Sequence, residues 1–303
     1  MTLLVYGWVA LDEIETPFDR VAGSLGGSAT FAALAASLFT GVRLLAAVGP
    51  DFPASERAKL EGRSIDLAGL TTVEGETSRW GARYHFDMNT RDTLYTVLGV
   101  NEAWKPGLPP GWESSETAFM AAAHPVLQRE LLASLRSARS TMVDTIKLFI
   151  DGHRADVFET MRHARFVTVN DSEARELTRV PSIARATRQL LAKGAEAVIV
   201  KLGEYGAAFR SEHDYFVAPG FPLEEVIDPT GAGDAFAGGF LGYLDSVPDV
   251  SAAEIRRAII YGSTVASFCV EGFGPSRLLT LDRGEIERRY REFRALTHFE
   301  VGE

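Results

Sequence analysis

Cysteine is nearly absent. Cys269 is the only one in 303 residues, which excludes an intrachain disulfide and any cysteine-rich zinc site. Its apolar neighbours Val265, Ala266, Phe268 and Val270 read as the setting of a packed core thiol rather than a nucleophile. Long apolar runs are missing too. No stretch approaches the ~18 residues of a membrane span, and Met1 to Tyr6 carry no basic leader segment. The expectation is a soluble, cytoplasmic protein with no membrane partner. Positive charge is in deficit, with 31 basic against 41 acidic residues and a net charge of −10. A nucleic-acid backbone needs a basic face, so that class of partner is excluded. ATP is not excluded, because a few backbone amides and a metal ion supply positive potential locally. The six histidines show no metal-binding spacing. There is no G-x-x-x-x-G-K-[ST] phosphate loop, no repeat and no Pro/Gly/Ser-rich linker.

With 46% hydrophobic and 24% charged residues, the chain has the balance of an ordinary globular protein and enough apolar residues for a sizeable core. Short apolar runs at 3–11, 42–48, 117–123, 141–144, 166–169 and 197–202 read as buried strands. Helical patterns lie between them, at 29–39, 55–62, 126–137, 154–164, 173–179 and 183–193. This alternation predicts a mostly parallel sheet covered by helices on both faces, a three-layer α/β/α sandwich. Residues 78–97 depart from the pattern. They are polar and aromatic, cross a turn at Asp87-Met88-Asn89, and read as a hairpin with one wet face. Residues 101–112, with three prolines, read as an irregular connection.

The most informative stretch is Asp228-Pro229-Thr230-Gly231-Ala232-Gly233-Asp234-Ala235-Phe236 and the small apolar residues after it. A turn with two glycines runs straight into a buried helix. A helix start has unpartnered N–H groups and a partial positive charge, and glycines let a ligand approach the backbone, so the run makes an anion hole suited to phosphate. Asp234 would repel that phosphate. It is either a first-turn Asp favoured by the helix dipole or a placed general base that takes a proton from a hydroxyl. The dinucleotide fingerprint fails, because Phe236 stands where its third glycine would be.

This run resembles the D-T-x-G-A-G-D-x-F signature of the ribokinase-like (PfkB) carbohydrate kinases, with Pro229 in place of the first Thr. The resemblance extends in order through most of the chain. It implies a single domain over 1–303 whose small β-sheet lid, formed by about 12–24 and 76–100, closes over the acceptor. It also implies a kinase that moves the γ-phosphoryl group of ATP to a hydroxyl of a small sugar or polyol. Asp234 would be the base, and the amides of Gly231, Ala232 and Gly233 would stabilise the transferring group. Asp12 and Gly26-Gly27-Ser28 match the family's sugar-binding motifs, although the glycines and Ser28 alone would read as a capped helix start. Phe31 stands where ribose-binding members carry an Asn, which argues against ribose and leaves a ring that can pack or stack. Asn170 and Glu173 match the N-x-x-E motif that acts through waters on Mg²⁺, and equally suit a plain helix cap. Lys201, Gly203, Gly206 and Thr230 would border the nucleotide, and Ser263 the adenine. Asp228 would frame a monovalent cation such as K⁺ in some relatives. The resemblance further implies a homodimer through the lid. Two alternatives remain. One is a nucleoside kinase of the same family, with Phe31, Trp80 and Tyr84 stacking on a base. The other is a non-catalytic ligand sensor on the same fold.

Overall fold

Leu3 and Val5 face one side of the first strand, Leu4 and Tyr6 the other, and all four are buried. A strand covered on both faces belongs inside a layered α/β sheet. The computed structural model describes residues 2–298. In chain order the N-terminal half runs β1 (Thr2–Tyr6), β2 (Ala10–Glu15), β3 (Arg20–Gly26), α1 (Ser28–Ala36), β4 (Gly41–Val48), α2 (Ala54–Glu61), β5 (Ile65–Asp66), β6 (Leu70–Thr72), β7 (Ser78–Tyr84) and β8 (Arg91–Val97). It continues through β9 (Thr117–Met120), α3 (Pro125–Ser134), β10 (Ser140–Val143), α4 (Lys147–Gly152), α5 (Arg154–Met161), β11 (Phe166–Asn170), α6 (Asp171–Thr178), α7 (Ile183–Ala192) and β12 (Ala197–Lys201). The C-terminal part comprises β13 (Ala207–Ser211), β14 (Tyr215–Ala218), α8 (Ala232–Ser246), α9 (Ala252–Cys269), α10 (Ser276–Thr280) and α11 (Arg283–Thr297).

The large sheet has the order β14-β13-β12-β11-β10-β9-β1-β4-β5, with β6 also on β4. From β12 across to β5 every pairing is parallel; β12-β13 and β13-β14 are antiparallel. One face packs on α1, α8, α9, α10 and α11, the other on α3 to α7. This is the expected three-layer sandwich. Each fully buried Leu, Val or Phe in these two cores contributes about 1.5–3 kcal/mol. The second sheet is small, ordered β3-β2-β7-β8, with β2 and β7 parallel and both outer pairings antiparallel. Its strands lie within residues 10–26 and 78–97.

The sequence reading is corrected in two places. The apolar run 3–11 is not one strand. It breaks at Gly7, so β1 lies in the large sheet and β2 in the small one. The large sheet also gains an antiparallel edge, β13-β14, that the apolar-run pattern missed.

Candidate active site

The C-terminal ends of the parallel strands open onto one crevice, where ligands bind in open α/β sheets. Asp144 follows β10, Asn170 ends β11 and Lys201 ends β12. Facing them is the start of α8. Gly231 is its N-cap with φ 76, a left-handed value, and Phe31 lies beneath it so closely that a Cβ would sit 2.3 Å from the ring. Only glycine meets both conditions. No side chain caps α8, so its first-turn amides have no side-chain acceptor. The loop before it is braced by Asp228, which is fully buried. Its Oδ1 accepts the Thr230 N–H at 2.8 Å and its Oδ2 the Gly274 N–H at 2.9 Å. Burial raises the Asp228 pKa, and these hydrogen bonds oppose it. Cys269 is buried beneath the same loop, its thiol donating to the Thr230 carbonyl at 3.7 Å.

Asp234 lies in the first turn of α8, with its surface reaching the crevice. Burial pushes its pKa up to about 7; Lys201 and Arg91 oppose the shift and Asp144 adds to it. The Lys201 ammonium contacts Asp144 Oδ2 at 2.7 Å and packs against Gly233, where a Cβ would be 3.1 Å away. Desolvation lowers the Lys201 pKa, but Asp144, Asp234 and Glu173 together outweigh it and raise it. Glu173 is buried, and its pKa is pushed up, first by desolvation and then by Asp144. The structure thus gathers Asp144, Glu173, Asp234 and Lys201 at one place. Asn170 and Glu173 form a full capping box on α6: Asn170 Oδ1 accepts the Glu173 N–H and Glu173 Oε2 accepts the Asn170 N–H, each at 2.8 Å. Cap and site coincide in these two residues.

The polar atoms suited to an acceptor cluster around the second glycine pair. Asp12 is buried, its Oδ2 accepting the Gly27 N–H at 3.4 Å while Oδ1 has no partner, and the Ser28 hydroxyl is likewise buried and unpartnered. Gly26 permits this approach, since a Cβ there would lie 2.0 Å from the Asp12 carboxylate. Burial raises the Asp12 pKa to about 7; the Gly27 amide opposes this, and Asp228 and Asp234 add to it. Phe31 is corrected. Only 1% exposed, it packs beneath Gly231 and presents no ring to a ligand. Tyr84 is also buried, and its hydroxyl accepts from Thr230 Oγ1 at 3.2 Å, which places it beside the loop that leads into α8. Trp80 is half-buried, with the Arg91 guanidinium 5.3 Å from its ring centre.

On the other side of the crevice, Gly203 and Gly206 frame the turn after β12, both with positive φ. Asn89, at the tip of the β7–β8 hairpin, reaches this turn and donates to Glu204 at 2.9 Å. Ser263 is buried on α9. Sequence reasoning passes over Arg91, and no local motif marks Asp144. Asp144 shows its role only through Lys201, 57 residues away. Arg91 is one arginine among several in a polar hairpin, with no motif around it. Among the described residues, no group of three or more His, Cys, Asp or Glu is placed to hold a metal ion, and no helix is long and apolar enough to cross a membrane.

The chain has known relatives. The chain is 30% identical over 261 residues to a cytidine kinase of Thermococcus kodakarensis, covering 82% of this chain and 90% of that protein. It is 27% identical over 284 residues to a deoxyribokinase of Salmonella typhimurium, covering 87% and 86%. Its fold superposes on the Methanocaldococcus jannaschii nucleoside kinase with a TM-score of 0.77 at 23% identity, covering 96% of this chain and 98% of that one. Residues 9–280 match the pfkB family carbohydrate kinase. That span takes in the small sheet, both turns of the crevice and the Asp234 helix, and the chain belongs to the pfkB family of carbohydrate kinases.

Proposed function

We propose that this kinase transfers the γ-phosphoryl group of ATP to a hydroxyl of a nucleoside. The observation that carries the acceptor site is the pair of buried, unpartnered polar atoms, Asp12 Oδ1 and Ser28 Oγ, beside Gly27. Buried polar atoms call for partners, and vicinal hydroxyls of a sugar ring supply them. The Trp8 carbonyl accepts the Ala29 N–H beside this pair. The similarity to a cytidine kinase favours a nucleoside as the acceptor. A free sugar is the second reading, supported by the similarity to a deoxyribokinase.

In the proposed reaction the acceptor O–H loses its proton to Asp234. Its oxygen bonds the γ-phosphorus, and the bond from that phosphorus to the bridging oxygen breaks to leave ADP. A base near pKa 7 suits the task at neutral pH. The first-turn amides of α8 stabilise the moving charge, and Lys201 supplies a point charge to the phosphates. Asn170 and Glu173 would hold Mg²⁺ through its waters. The donor set fits, because Mg²⁺ keeps several waters and needs few protein oxygens. A bound Mg²⁺ would offset negative charge on the phosphates.

The test is ATP turnover across nucleosides, hexoses, cyclitols, deoxyribose and ribose, for the parent and Asp234→Asn. A nucleoside is expected to rank first in kcat/KM, above free ribose. Asp234→Asn is expected to lower kcat by about 10²–10⁴ with ATP still bound. A sugar ranking first overturns the nucleoside acceptor, near-normal turnover by Asp234→Asn removes it as the base, and ATP binding without turnover favours a sensor.

A further inference from the structure

The small sheet carries four arginines on its strands. Arg20 pairs with Glu13, Arg79 with Asp51 and Arg83 with Glu15. Among the described residues the fourth, Arg91, makes no ion pair. It stands opposite Tyr84 in the β7–β8 register, and directly opposed residues share a face. Asp12 and Trp80 are likewise opposed across β2 and β7. Tyr84 accepts a hydrogen bond from Thr230 on the α8 loop, so its face of the sheet looks into the crevice at its phosphate end. The Arg91 guanidinium lies 5.3 Å from the Trp80 ring centre, a cation–π contact that restrains the plane of the fork. The hairpin is tied down a second time, by Asn89 on Glu204, with Asn89 Oδ1 so close to Gly203 that a Cβ there would be 2.6 Å away. Arg91 therefore opens the second strand of a hairpin whose first strand is tied to the loop before α8 and whose tip is tied to the turn after β12. Burial raises the pKa of Asp234 and of Glu173, and the Arg91 charge is near enough to oppose both shifts.

A guanidinium is a planar fork of donors matched to phosphate oxygens. We propose that Arg91 is a further catalytic residue: from the closed hairpin it donates to the γ-phosphoryl group and offsets the charge that builds as this group leaves ATP for the acceptor oxygen. The inference rests on the kinase reading, and binding and turnover test the two separately. Arg91→Gln is compared with the parent for affinity toward ADP and toward the β,γ-imido analogue of ATP, and for kcat and acceptor KM. The expected result is unchanged ADP affinity, about tenfold weaker binding of the imido analogue, kcat lower by about 10²–10³ as for other arginines that stabilise this transfer, and acceptor KM within about twofold. Arg91→Lys, which keeps the charge without the fork, is expected between the two. Arg83→Gln, on a paired arginine outside the site, is expected to match the parent. Equal analogue affinity and kcat in Arg91→Gln overturns the proposal, as does a raised acceptor KM with kcat kept. If the parent phosphorylates nothing in the panel, the kinase reading fails while the difference between ADP and analogue binding still decides whether Arg91 meets the γ-phosphate.

Discussion

Asp234 holds its proton more tightly than an exposed carboxylate because protein surrounds it and Asp144 lies near; Lys201 and Arg91 pull the other way without cancelling the effect. A base works only when ionised, so the sign is fixed: activity is present above the pKa and lost below it. With the value pushed up to about 7, kcat/KM is expected to fall about tenfold per pH unit below neutrality, and Asp234→Asn is expected to flatten that limb. A parent profile level from pH 5 to 7 would show Asp234 ionised throughout and would remove burial as the controlling effect. At this scale the sequence was legible where a residue's neighbours in the chain are also its neighbours in space. Asp234 beside Gly231 and Gly233, and Glu173 beside Asn170, announce themselves within a few positions. Asp144 and Arg91 do not, because each takes its meaning from a partner brought near by folding.

Among the elements, α6 carries two duties at one end. Its capping box needs an acceptor at position 173, which Gln supplies as well as Glu, whereas water-mediated Mg²⁺ binding is favoured by the charge. Glu173→Gln is therefore expected to leave thermal stability nearly unchanged and to raise the Mg²⁺ concentration for half-maximal rate. Asn170→Ala is expected to cost about 1 kcal/mol of stability through the lost cap. An unchanged Mg²⁺ dependence in Glu173→Gln would leave the motif as a cap alone. The helices α1 and α8 were readable from their small residues, and the structure gives the reason. Gly238 and Gly242 lie directly on Ala32 and Ala36, with a Cβ at 238 placed 2.2 Å from the Ala32 carbonyl. By contrast α11 buries only Ile286 and Phe293, too few apolar positions to set a period. The strands β5 and β6 are two and three residues long, shorter than any alternation can mark. Gly7 divides β1 from β2 inside one apolar run, a break that hydrophobicity alone does not show.

For the whole molecule, the unpaired edge of the small sheet raises the question of assembly. β8 is exposed along its length, and Leu94, Tyr95 and Val97 are 43%, 38% and 38% exposed. A bare edge strand with apolar side chains invites pairing with another. A homodimer through this strand is the expected state, measured by sedimentation or light scattering at micromolar concentration. Leu94→Lys with Val97→Lys is expected to yield monomers, and a monomeric parent would sink the idea. The place of Phe31 bears on how this enzyme can change over generations. Its ring fills the space under Gly231, so an Asn at that position would open a void and strand an amide in the core, a loss of about 3–5 kcal/mol. Against a total stability of roughly 5–15 kcal/mol, that single step takes a large share. Position 31 is thus held by packing, and in descendants of this chain it changes only together with the core beneath the glycine.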